Sequence, residues 1–258
     1  MYFRSFLTYI LLTITIFALT TSLLNGENDE CLHKVVVPDD VESINKAINI
    51  VCGNGVIILK EGTYAEEVHV NKSLTLKAMG KATLLYPIYI TNTLNVNIEE
   101  IAVFIYPPGS DFGIVVYNSS NIRIERVEII GTTIILAKSA NIIIRKSLFN
   151  NCPGPSIYVM GDSSNVKILE STFNETYTAL RVIKGANIVF SRNKIFKTIR
   201  AIRLDKEAED VKIFLNNFYN KTECLDYGKD NTWFFRPVSY THLRAHETEA
   251  DLVCRLLL

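Results

Sequence analysis

The chain is predicted to be all-β, a parallel β-helix solenoid with an N-terminal capping helix, and three observations predict it. One pattern recurs: "NIRIERVEI" from Asn121, "NIIIRKSLF" from Asn141, "NVKILESTF" from Asn165, "NIVFSRNKI" from Asn187 and "DVKIFLNNF" from Asp210, at intervals of 20, 24, 22 and 23 residues. Self-similarity at this period marks a solenoid, in which each unit buries its apolar face only against its neighbours. Within each copy the first and third residues after the Asn are apolar (Ile122 and Ile124, Ile142 and Ile144, Val166 and Ile168), while the residue between varies. That alternation is a strand with one face inward. Finally, no helical period fits between the strands, which argues against a leucine-rich repeat.

Two fainter copies, "SLTLKAMGK" from Ser73 and "NVNIEEIAV" from Asn95, extend the array toward the N-terminus. A large apolar residue returns late in each main copy, at Ile129, Phe149, Phe173, Ile195 and Phe218, and predicts a second interior row. "SIYVM", "TALRVI" and "RAIRLD" supply a further short strand per coil. The Asn before each strand suits a turn, because its side chain bonds to backbone and tolerates positive φ.

Ahead of the array, "VPDDVESINKAINIVCGNG" reads as the cap. Asp39 or Asp40 is the expected N-cap of a helix whose Val41, Ile44, Ala47, Ile48 and Val51 share one face, with Gly53 or Gly55 ending it. The first 26 residues carry Arg4 and then no charge until Glu27, the pattern of an export signal. If uncleaved, this run is nearly long enough to anchor the chain in a membrane. Either outcome puts the domain at residues 31–236 outside the cytoplasm: secreted, at the cell surface or periplasmic.

At the far end, "PVSYTHLRAHETEADLVCRLLL", residues 237–258, shares no periodicity with the coils. It resembles an in-frame translation of a transposase-based sequencing adapter: "PVSYTHLRAHET" as transposon end, Glu249 and Ala250 as index, "DLVCRLLL" as flow-cell sequence. The resemblance implies that this tail is not native, that coils continue past Arg236 in the natural gene, and that His242, His246 and Cys254 are not ligands.

The combination V-P-D-D, I-x-x-A-I, G-T-Y-x-E-x-V and S-L-T-L followed by N-I-x-I repeats, from about His33 to Asp230, resembles the pectin-lyase-like right-handed parallel β-helix proteins. Within them it is most similar to the carbohydrate-binding, sugar-hydrolase and NosD-type periplasmic group. The resemblance implies the handedness and a glycan partner; an activity does not follow, since one fold hosts many functions. The hydrolases' N-x-D and G-H-G motifs, their clustered carboxylates and the lyases' R-x-P-x-x-R run are missing up to Arg236. The dipeptide Asp39-Asp40 and the tripeptide Arg192-Asn193-Lys194 are partial matches only. Catalytic residues are therefore not assigned, and no cofactor or metal is called for.

Stacking the late strands places Val115, Ile135, Tyr158, Arg181, Arg203 and Asp226 in one outward row, about 4.8 Å apart. Tyr158 beside two guanidinium groups suits a sugar ring with an anionic substituent, because Arg pairs bidentately with carboxylate or sulfate; a solvated face with an Arg203–Asp226 pair is the plain alternative. His69 reads as an ordinary outward histidine. With 27 basic and 27 acidic residues, no field favours nucleic acid. Cys31 and Cys52 bracket the cap and are expected to pair; Cys152 and Cys224 lie about three coils apart, on the order of 14 Å, too far for a disulfide. Sequons at Asn71, Asn118, Asn174 and Asn220 offer glycosylation sites near turns. The expected function is an exported, non-catalytic glycan binder or envelope scaffold. The alternatives are a polysaccharide lyase or hydrolase with catalytic coils beyond Arg236, and a NosD-type accessory protein.

Overall fold

In a computed structural model, residues 31–105, 112–219 and 222–234 are described, together with the strand Arg255–Leu257. The N-terminal run expected to be an export signal, Asn220 and most of the tail lie outside these residues. The strands pair in parallel from coil to coil and form one continuous right-handed β-helix.

Register confirms the repeat residue by residue. Leu74, Val96, Ile122, Ile142, Val166, Ile188 and Val211 face their counterparts in successive coils, all at most 1% exposed. The two faint copies are therefore full members of the array. The late apolar positions form the second interior row, from Ile129 through Phe149, Phe173 and Ile195 to Phe218. Phe149 and Phe173 stack with ring centroids 4.6 Å apart. Stacked offset rings gain attraction beyond the area they bury.

The turn asparagines behave as their chemistry requires. Asn95, Asn121, Asn141, Asn165 and Asn187 all have φ between 53° and 58°, a region Asn enters at lower cost than most L residues. Their side chains form a ladder in which each Nδ2 donates to the preceding Oδ1, at 3.1, 3.2 and 3.1 Å for the first three steps. Side chain and backbone thus fix the same corner in five successive coils.

At the N-terminal end, β1 (Leu32–Val37), α1 (Ile44–Ile50) and β2 (Val51–Tyr64) build the cap. The helix begins later than expected. Its N-cap is Ser43, whose Oγ accepts from Lys46 N at 3.2 Å. Asp40 instead accepts from Val36 N at 2.7 Å, closing the turn before it. Glu66 satisfies the first two helical donors, accepting from Ile44 N at 2.7 Å and Asn45 N at 3.2 Å. A carboxylate is favoured at this end by the exposed N–H groups and the helix dipole. The hydroxyl of Tyr64 is shared between Val37 O and Lys60 O. Tyr64 and Glu66 of the G-T-Y-x-E motif therefore hold the cap to the first coil.

Candidate functional site

The outward row runs along late strands of successive coils. Strand register links His69, Tyr89, Val115, Ile135, Tyr158, Arg181 and Arg203 in order. His69 belongs to this row and stacks on Tyr89, with centroids 5.1 Å apart and planes 12° from parallel. Val115 and Ile135 are each only 1% exposed, so the middle of the row is packed rather than solvated. The accessible polar part begins at Tyr158.

Asp226 does not join the row. A register shift between Arg200 and Ile202 sets Arg203 opposite Leu225 and Leu204 opposite Asp226. One residue of slip turns a side chain to the other side of the strand. The Asp226 carboxylate is used to build the following turn, accepting from Gly228 N at 3.0 Å, Asn231 Nδ2 at 2.8 Å and Trp233 Nε1 at 2.7 Å. The expected Arg203–Asp226 pair is thereby corrected.

The acidic partner is Asp205, two residues after Arg203 on the same face. Its Oδ2 accepts from Arg181 Nε at 3.0 Å and lies 3.0 Å from Arg181 Nη2, while its Oδ1 accepts from Arg203 Nε at 2.9 Å. One carboxylate thus fixes two guanidinium groups from adjacent coils. The Arg181 guanidinium also lies over the Tyr158 ring, 5.3 Å from its centroid, a cation–π contact. Burial pushes the Tyr158 hydroxyl above its ordinary range, with Arg181 and Arg203 pulling it partly back. The phenol therefore stays protonated at neutral pH.

The consequence falls on Arg203. Held through Nε alone, it has no partner for its two Nη groups among the described residues. It borders a hollow of about 500 Å³ with Arg181, Asp205, Lys206, Glu207 and Tyr227. Three cationic and two anionic groups leave this wall one positive charge. A second hollow, about 290 Å³, opens on the other side of Tyr158 between Phe112, Ile135, Pro153, Gly154 and Pro155.

Other sequence candidates have structural roles. Asn193, the centre of the partial R-x-K match, is fully buried and bonded to Ser171, Ile168 and Asn216. Asp39 pairs with Lys60. Asn118 and Asn174 commit their Nδ2 atoms to Asn92 and Asn150 at 2.8 and 2.9 Å, whereas Asn71 is exposed. Cys31, Cys52 and Cys224 are disulfide-bonded, and Cys152 is free and buried.

Residues 45–244 match the family described as periplasmic copper-binding protein (NosD). The chain belongs to the NosD family. Among solved structures it is similar to the surface protein and adhesin PfbA of Streptococcus pneumoniae, at 16% identity over 74% of this chain and 69% of that one, with a TM-score of 0.50. A candidate glycosyl hydrolase from Parabacteroides merdae ATCC 43184 gives 16% identity over 62% of this chain and 88% of that one, also with a TM-score of 0.50. At these identities the likeness is one of fold. No curated protein shows significant similarity to the chain.

The family description raises copper, which takes thiolate, thioether and imidazole donors. Among the described residues these donors do not converge: no group of three His, Cys, Asp or Glu side chains could hold a metal. His69 is stacked on Tyr89, Cys152 is sealed in the interior and Met79 stands exposed on another coil. The described residues of this NosD-family chain do not fit a copper centre.

Proposed function

We propose that this NosD-family protein is an exported, non-catalytic β-helix that binds acidic glycans along its outer face. The observation that carries this reading is the oriented Arg203 guanidinium, fixed at Nε by Asp205 with both Nη groups open to a hollow beside the Tyr158–Arg181 stack. An Arg fork matches carboxylate or sulfate in two parallel bonds. Asp205 is engaged by two arginines and Glu207 of the same wall pairs with Lys184, which supports charge pairing over acid–base work for these carboxylates.

Calorimetric titration with oligogalacturonate and oligoalginate tests the reading. Losing a charge-assisted bond costs about 1.5–3 kcal/mol, so Arg203→Ala is expected to weaken binding about ten- to hundredfold. Arg203→Lys keeps the charge without the fork and should fall between. Equal binding by all three proteins would remove this site from consideration. Family membership favours a second reading, a periplasmic accessory role in handling copper. Metal analysis after copper loading separates the two: the donor set predicts no stoichiometric copper, and retained copper would favour the accessory role.

A further inference from the structure

Two neighbouring strands, Phe112–Tyr117 and Thr133–Ala137, depart from the alternation of the other coils. Their inward residues belong to the core, yet the outward Val115, Ile135 and Ala137 are buried as well. A strand buried on both faces reads as a continuous apolar run, as "GIVVY" and "TIILA" do. Beside Ile135 this outer face encloses the hollow of about 290 Å³. Phe112, Ile135, Pro153, Pro155 and Tyr158 give it apolar walls, and no charged side chain borders it among the described residues. Two hydroxyl-bearing residues, Thr132 and Thr133, complete the lining. The Thr132 Oγ1 atom is buried with no hydrogen-bond partner among the described residues. A buried hydroxyl left in that state is costly, and a ligand that bonds to it removes the cost.

We infer that this hollow is a binding site for a small, uncharged, single-ring alcohol or phenol. Its volume lies at the lower end of the range for ligand pockets, about 300–1,000 Å³, which suits one ring and not an extended chain. The ring leaves water against apolar walls, and its hydroxyl bonds to the threonine pair. An ionised group there would lose its hydration with no counter-charge in the wall. The site uses none of the arginines and stands independently of the glycan-binding reading. Gly154 gives direct access to it: a Cβ added there would meet nothing closer than Thr133 Oγ1 at 3.9 Å, and the glycine does not have a left-handed backbone. Leucine at this position would therefore fill the hollow.

The test is a titration with p-cresol, toluene and 4-hydroxybenzoate, read from the Ile135 methyl resonance of isoleucine-labelled protein. In wild type, p-cresol should shift Ile135 with a Kd on the order of 1 mM, while Ile143, on another strand, stays unmoved. Toluene, lacking the hydroxyl, should bind about two- to tenfold more weakly, and 4-hydroxybenzoate should leave Ile135 in place. Thr132→Val and Thr133→Val together should erase the preference for p-cresol over toluene. Gly154→Leu should weaken p-cresol at least about tenfold, and Arg203→Ala should bind it as wild type does. An Ile135 resonance unmoved by p-cresol, equal binding of toluene or 4-hydroxybenzoate, or binding that survives a folded Gly154→Leu overturns the inference. If Gly154→Leu fails to fold by circular dichroism, the three-ligand comparison and the threonine variant decide it. Neither result bears on glycan binding, which Arg203→Ala tests separately.

Discussion

Replacing Asn193 removes a polar side chain that makes three hydrogen bonds in the interior. Asn193 is fully buried; its Oδ1 accepts from Ser171 N at 2.9 Å, and its Nδ2 donates to Ile168 O at 3.0 Å and Asn216 Oδ1 at 3.1 Å. In Asn193→Ala the Ser171 N–H and the Ile168 carbonyl lose these partners, while Asn216 Oδ1 keeps the Asn193 N–H at 2.9 Å. Each buried group left unsatisfied costs about 1–3 kcal/mol, so the substitution should destabilise by about 2–6 kcal/mol. Serine provides an internal control. One coil earlier in the same column, Ser171 Oγ accepts from Ser147 N at 3.2 Å, so a hydroxyl already fills this role. Asn193→Ser should therefore recover the Ser171 contact and cost about half as much. Urea unfolding followed by circular dichroism gives both values. An alanine variant within 1 kcal/mol of wild type, or a serine variant no better than alanine, would refute the claim that this column holds adjacent coils together.

Other expectations concern the core, the cap and the thiols. Phe173 is fully buried between Phe149 and Phe190, at 4.6 and 5.6 Å; Phe173→Ala should cost about 3–5 kcal/mol, measurable in the same unfolding assay. Burial raises the Tyr64 hydroxyl above its ordinary range. Its contribution is thus complete below pH of about 10 and lost as pH climbs through the folded value; Tyr64→Phe should lower stability at neutral pH and flatten that alkaline loss. Burial likewise pushes up the Cys152 thiol, so alkylation at neutral pH should require denaturant. Non-reducing peptide mapping should recover Cys31 joined to Cys52; recovery of either with another cysteine would reject that pairing.

The sequence made the solenoid legible because its evidence is repeated in every coil. Apolar alternation, turn asparagines and the late phenylalanines each recur, so one misplaced residue does not disturb the inference. The site had no such redundancy. Tyr158, Arg181 and Arg203 were placed correctly because unbroken register joins them. Asp226 was misplaced by the local shift after Arg200, which residue counting does not reveal. Alternation in "RAIRLD" puts Asp205 on the same face as Arg203, a relation that lies along one strand and not in the coil-to-coil repeat. The helix cap erred for a related reason. Asp39, Asp40 and Ser43 are all acceptable N-caps by residue type, and the choice was set by the turn that Asp40 closes with Val36.

Because Asp205 ties Arg181 to Arg203 across a seam between coils, this charged cluster belongs to a pair of repeats and not to either alone. Duplicating or deleting one whole repeat elsewhere would change the molecule's length and leave that pair untouched. Inserting a repeat between Tyr158 and Arg181 would move the ring one rung from the cations while every ladder bond could still form. Adding whole rungs there would alter the distance between the ring and the cations at the loss of one cation–π contact, with the backbone ladder kept.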